Sequence, residues 1–216
     1  MKKRSLLFLS QVKISMSSNT IQKLREYFEH FPGIGPRQAQ RFVYWLLNQE
    51  PDFVKNLGEL LLALRSDTKQ CNQCFRFFTS SECRFCNNIN RDKSRILVVE
   101  KDTDMENIEK AGVYNSLYFV LGDIIPFGQT IPKNIRLKEL FGRIEHDSQK
   151  ELKEIILAFS ATAEGDNTCR YLEKILDPLV KKYSIKINRF GRGISTGAEL
   201  EYLDKDTLKN ALENRK

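Results

Sequence analysis

Four cysteines constrain this chain more than any other feature. Cys71, Cys74, Cys83 and Cys86 form two Cys-x2-Cys steps separated by eight residues. A two-residue step turns both sulfurs of a pair toward one point. Two such steps supply four thiolates, the donor set of a tetrahedral structural Zn2+, one ion per chain. Four protein ligands leave no open coordination position, so an ion held this way supports structure and does not activate water. Phe75, Phe77 and Phe78 are expected to pack beside it. Disulfides and unrelated buried thiols are the other readings of the same residues, and a reducing compartment disfavours the disulfides. A fifth cysteine, Cys169, falls in a helical stretch and reads as a small buried hydrophobe.

A finger accounts for only a small part of 216 residues. The apolar share of 41% supports a packed core elsewhere and argues against wholesale disorder. No apolar run approaches the roughly 20 residues that span a bilayer, so no membrane partner is expected. Charge is unevenly placed. Residues 1–95 hold 16 Lys and Arg against 8 Asp and Glu, while residues 96–216 hold 19 against 20. A basic N-terminal module joined to a near-neutral remainder permits a polyanionic partner. At the N-terminus, Lys2-Lys3-Arg4 followed by Leu6-Leu7-Phe8-Leu9 imitates a secretory signal, but Ser10, Gln11 and Lys13 interrupt the apolar stretch. Residues 1–18 are therefore expected to be a disordered extension or a misassigned start before Met16, and the protein to be cytoplasmic.

Ile21, Leu24, Tyr27, Phe28 and Phe31 recur at helical spacing and predict a helix over 19–30, capped by Asn19 or Thr20. Gly33 and Gly35 break the pattern, and Pro36 suits the first position of a second helix carrying Phe42, Val43, Leu46 and Leu47 on one face. Pro51 and Asp52 open a third, with Val54, Leu57, Leu60, Leu61 and Leu64 expected inward. After the cysteines and a polar link from Asn87 to Ser94 the pattern changes. Short β-rich runs at Arg95–Val99, Leu117–Val120, Glu154–Ala158 and Ile185–Phe190 alternate with helical stretches at 103–111, 135–146 and 165–182. A last helix runs near 205–214. Strands alternating with helices imply a parallel sheet covered on both faces.

The first two helices and their turn have the layout of a helix-hairpin-helix. Without Cβ atoms, Gly33 and Gly35 let the backbone turn tightly and approach a phosphate. Free amides at the start of the following helix attract an anion. Ile34 is expected to anchor the hairpin, and Lys23, Arg37 and Arg41 to add phosphate contacts. Such contacts read backbone and not bases, so binding to DNA should be sequence-independent and weaken with salt. A turn used only for packing or self-association is the alternative.

Three stretches together resemble one family. They are Phe31-Pro32-Gly33-Ile34-Gly35-Pro36-Arg37-Gln38-Ala39-Gln40-Arg41, the four-cysteine finger, and Ile96-Leu97-Val98-Val99-Glu100. Further matches are Leu121-Gly122, Ala158-Phe159-Ser160-Ala161-Thr162-Ala163-Glu164-Gly165, Arg192-Gly193 and Leu200-Glu201-Tyr202. In this order they are similar to the bacterial recombination mediator RecR family, over about residues 20–214. The resemblance implies a helix-hairpin-helix over 19–66, a zinc finger over 67–90, a Toprim-type parallel α/β sheet over 91–190 and a C-terminal helical arm over 191–216. It further implies a ring-like tetramer that clamps DNA and works with RecO, and in some settings RecF, to help load RecA onto single-stranded DNA coated by SSB. Ser195-Thr196 stand where Pro-Val is common, Asp123 where glycine is usual, and Ser160-Ala161 where Asn-Pro is usual.

Toprim enzymes hold Mg2+ with a glutamate after the first strand and an Asp-x-Asp pair after a later one. Glu100 stands in the first place, but the second reads Ser160-Ala161-Thr162. Hydroxyls substitute poorly for ionised oxygens, although Glu164 and Asp166 follow and could hold a weak ion. Glu100 and Glu164 are therefore expected to be partner-binding residues, and the chain no enzyme. A Mg2+-dependent Toprim nuclease or primase-like enzyme is the alternative. There is no Gly-x4-Gly-Lys-Ser/Thr phosphate loop, so no ATPase is expected. His30 is read as a helix-end residue and His146 as solvated.

Overall fold

The computed structural model describes residues 19–128 and 130–213. The expectation for residues 1–18 lies outside the described residues. The chain divides into two compact units between Ser66 and Asp67.

The first unit is helical: α1 (Thr20–Glu29), α2 (Pro36–Leu47) and α3 (Pro51–Asp67). Asn19 caps α1 by accepting a bond from the Ile21 amide at 3.1 Å. Pro36 occupies the first turn of α2. Ala39 and Val43, one turn apart, are the buried ridge of α2, and Phe28 meets Phe42 and Phe31 edge to face. The inward packing expected for α3 is not found. None of its residues is buried, and Leu60, Leu61 and Leu64 are each more than 60% exposed. A unit this small has too little surface to cover a 17-residue helix that is apolar on several sides.

The second unit starts with a two-stranded antiparallel pair, β1 (Lys69–Gln70) and β2 (Phe77–Phe78). The main sheet follows: β3 (Asp92–Val99), α4 (Asp102–Ala111), β4 (Ser116–Val120), α5 (Leu137–Ser148), β5 (Glu154–Ala158), α6 (Ala163–Tyr183) and β6 (Lys186–Arg189). A 3-10 turn (Leu200–Tyr202) and α7 (Lys205–Glu213) complete the described chain. The sheet order is β4-β3-β5-β6, every pair parallel. The expected α/β architecture is therefore present. β3 begins at Asp92, inside what reads as a polar link, because Asp92 registers with Ser116 of β4.

Alternation along the strands sorts the core into two layers. Ile96, Val98, Leu117, Phe119, Ile155 and Leu157 pack against Leu140 and Ile144 of α5 and Leu172 and Leu176 of α6. Cys169 joins this layer, 3% exposed. Leu97, Val99, Tyr118 and Val120 face the other way, onto Met105 of α4 and onto Cys71, Cys74, Cys83 and Phe85. The cysteine module thus covers part of one sheet face. From β3 the chain steps outward to β4, then returns to β5 on the opposite side. That reversal is a topological switch point at the C-terminal ends of β3 and β5, the place where α/β sheets commonly bind ligands.

Candidate metal centre and nucleic-acid interface

The four sulfurs of Cys71, Cys74, Cys83 and Cys86 lie within 4.8 Å of one another. Cys71 and Cys86 are 3.8 Å apart, Cys74 and Cys83 3.7 Å. Four zinc–sulfur bonds of about 2.3 Å in a tetrahedron separate sulfurs by about 3.8 Å, whereas a disulfide needs about 2.05 Å. The donor set fits a tetrahedral ion and not two disulfides. Four thiols this close share their protons: the Cys74 hydrogen bond holds Cys71 down to about 6, while the same neighbour contact pushes Cys74 up.

Main-chain bonds shape the knuckles. The Cys71 amide donates to Arg76 O at 2.9 Å and the Phe75 amide to Cys71 O at 3.0 Å, with Phe75 in the left-handed region at φ 62°. The Asn87 amide closes the second knuckle on Cys83 O at 3.1 Å. The finger is also joined to the sheet unit: the Val120 amide donates to Cys74 O at 2.8 Å, and the Phe77 amide to Asp102 Oδ1 at 2.8 Å.

The aromatic residues divide differently from the expectation. Phe75 turns onto Phe119 in the α5–α6 layer, Phe78 packs with the finger, and Phe77 is 53% exposed. The ring at the centre of the module is Phe85, between the last two cysteines. Arg76 and Arg91 each bring a guanidinium carbon to 4.5 Å from its centroid. Both arginines are 8% exposed. Arg91 also pairs with Glu109 of α4 at 2.6 Å and donates to Ser116 O at 2.7 Å. On the outer side of the cluster, Arg143 of α5 reaches Cys86 Sγ at 3.9 Å and is braced by Asp147. Sequence reading missed Phe85, Arg91 and Arg143; only Phe85 carried a local signal, its place within the Cys-x2-Cys step.

In the helical unit, Gly33 takes φ +76°, and the Ile34 amide donates to Phe31 O at 3.0 Å. Gly35 takes an ordinary φ and caps α2 with no side-chain bond. No atom lies within 4 Å of where its Cβ would be, so the first turn of α2 is open to approach. Ile34 and Lys23 are half-buried; Gly33, Gly35, Arg37 and Arg41 are exposed. Among the described residues no ion pair holds Arg37 or Arg41, whereas Arg25, Arg91, Arg95, Arg143, Arg189 and Arg192 are each paired to a carboxylate.

At this switch point, Val99 registers with Ala158, so Glu100 and the loop after β5 leave the sheet side by side. Glu100 is 16% exposed and meets Lys101 Nζ at 3.4 Å. Thr162 is occupied as the cap of α6, accepting from the Gly165 amide at 3.1 Å. Glu164 is exposed. Asp166, expected as half of a weak ion site with Glu164, is instead gripped by both terminal nitrogens of Arg192, with Arg189 at 3.8 Å. That guanidinium, with Arg189 beyond it, holds the Asp166 carboxyl below the usual carboxylate range. His146 is exposed and bonds Asp147 at 2.8 Å.

Family patterns match the chain in three segments: a RecR helix-hairpin-helix over residues 21–64, a Toprim domain over 94–190, and a RecR C-terminal region over 193–216. "Recombination protein RecR" of Chloroherpeton thalassium is 39% identical over 204 residues, covering 92% of this chain and 97% of that protein. The chain belongs to the RecR family. The RecR proteins of Clostridium perfringens and Prochlorococcus marinus are 40% and 37% identical, each over 90% of this chain and 95% and 94% of their own lengths.

Proposed function

We propose that this RecR-family protein is a DNA clamp and adaptor of recombinational repair, acting with RecO, and RecF, to help load RecA onto SSB-coated single-stranded DNA. One observation carries the DNA-binding reading: an exposed glycine turn opens onto an uncapped helix start, flanked by two guanidiniums that form no ion pair among the described residues. Gly33, Ile34 and Gly35 shape that turn; Lys23, Arg37 and Arg41 supply the cations. As a RecR recombination protein the chain is read as no enzyme, and two side chains near Glu100 support that reading. Asp166 is engaged by arginine and Thr162 by its helix, so neither is free to join Glu100 around an ion. Glu100 and Glu164 are the residues proposed to meet protein partners.

Cys71, Cys74, Cys83 and Cys86 would hold one Zn2+, which cross-links the finger when bound. The exposed leucines of α3 favour self-association, and a tetrameric ring would multiply few phosphate contacts into useful avidity. No helix among the described residues is long and apolar enough to cross a membrane; the cytoplasm, where DNA and reduced thiols coexist, is the proposed location. A DNA titration at several salt concentrations tests the clamp. Affinity should fall steeply with salt, and Arg37→Glu with Arg41→Glu should abolish retention. A flat salt response, or only monomer in native mass spectrometry at micromolar protein, refutes it.

A further inference from the structure

We propose that the outer face of α2 is a stacking platform for unpaired bases, so that this unit holds single-stranded DNA by base contacts as well as by phosphate. The inference rests on the DNA-binding reading above and extends it along the helix. At 3.6 residues per turn, Arg37, Arg41, Tyr44 and Trp45 share one stripe about 100° wide and about 12 Å long, starting at the hairpin. The two rings are large and only partly covered: Tyr44 is 49% exposed and Trp45 52%. Trp45 makes a T-shaped contact with Phe53 of α3 at 5.5 Å, which fixes the indole without covering it. The carbonyls of Tyr44 and Trp45 are already engaged, by Asn48 at 2.7 Å and Gln49 at 3.1 Å, so the stripe offers a partner rings and cations rather than these acceptors.

Charge selects the occupant. No Asp or Glu occurs from His30 to Gln49. A second copy of the chain presenting this same face would oppose like charges; a polynucleotide would satisfy them. Aromatic rings interleaved with cations on one groove are the pattern that stacks bases of single strands. Duplex DNA keeps its bases inside and could reach only the arginines.

Trp45 is the chain's single tryptophan, so its emission reports the platform directly. The full chain is titrated with oligo(dT) and with a duplex of equal length, reading tryptophan emission and, separately, the anisotropy of labelled DNA. The expected result is quenching by oligo(dT) but not by bound duplex. Trp45→Ala should weaken oligo(dT) binding about tenfold or more and leave duplex binding unchanged; Trp45→Phe, which keeps a ring, should retain most of it. Oligo(dT) that binds by anisotropy without quenching overturns the platform and leaves the hairpin reading intact. No anisotropy change with either DNA overturns the hairpin reading itself. Trp45→Ala that weakens both DNAs equally while lowering the oligomer mass makes this face a contact between copies, and also overturns the platform.

Discussion

Arg91 is where one substitution should do most damage to the sheet unit. Its guanidinium lies 4.5 Å from the Phe85 centroid and 5.5 Å from that of Tyr118, pairs with Glu109 at 2.6 Å, and donates to Ser116 O at 2.7 Å. Arg91→Met keeps the aliphatic bulk against Phe85 but strands the Glu109 carboxylate, which is only 18% exposed. Breaking a buried ion pair from one side costs about 3–5 kcal/mol, because the remaining charge stays desolvated. Glu109 keeps some contact with water, so about 3 kcal/mol is expected. For a chain of this size that lowers the melting temperature by about 6–12 °C. Equilibrium urea unfolding with zinc and reductant present measures the change. Arg91→Met combined with Glu109→Gln removes the stranded charge and should recover at least half of the loss. A single variant within about 0.5 kcal/mol of the parent, the range of an ordinary surface change, would refute the reasoning. So would a double variant no more stable than the single one.

Other outcomes follow from the same geometry. In Gly165→Ala the new Cβ would collide with the Ser160 carbonyl oxygen, so the loop must move; about 2 kcal/mol should be lost in thermal unfolding, and an unchanged melt would contradict the contact. Asp166 titrates below its unfolded value because of Arg192, so its contribution is complete above about pH 4 and fades as pH falls through the folded value. The urea midpoint of the parent should therefore drop faster on acidification than that of Asp166→Asn. Elemental analysis should find about one zinc per chain, lost in Cys83→Ser together with the fold of the finger. Arg143→Gln, which removes the donor beside Cys86, should speed zinc transfer to a chromogenic chelator about tenfold with circular dichroism unchanged; an equal rate would show that this donor does not support the site.

The legible parts of this molecule were those written in neighbouring residues. The Cys-x2-Cys steps, the glycine turn before Pro36 and the short apolar runs of β3 and β4 are local patterns with local physical causes. What stayed hidden depends on residues distant in sequence. Arg91 looks like part of a polar link until Phe85, Tyr118 and Glu109 close around it. Arg143 lies 57 residues from the thiol it approaches. Asp166 reads as a metal ligand until Arg192, 26 positions later, folds onto it. The leucines of α3 follow an inward-facing helical pattern, but periodicity does not say whether the opposing surface belongs to the same chain.

Three successive amides run like rungs from the finger to the end of the interior strand β3. Val120 N bonds Cys74 O, Leu121 N bonds Val99 O, and Gly122 N bonds Glu100 O. The backbone that carries Glu100 is thus two rungs away from a thiol knuckle. A cell starved of zinc, or one whose thiols have been oxidised, would lose more than an appendage: the loosening would climb this ladder and blur the acidic rim on which repair partners are proposed to assemble.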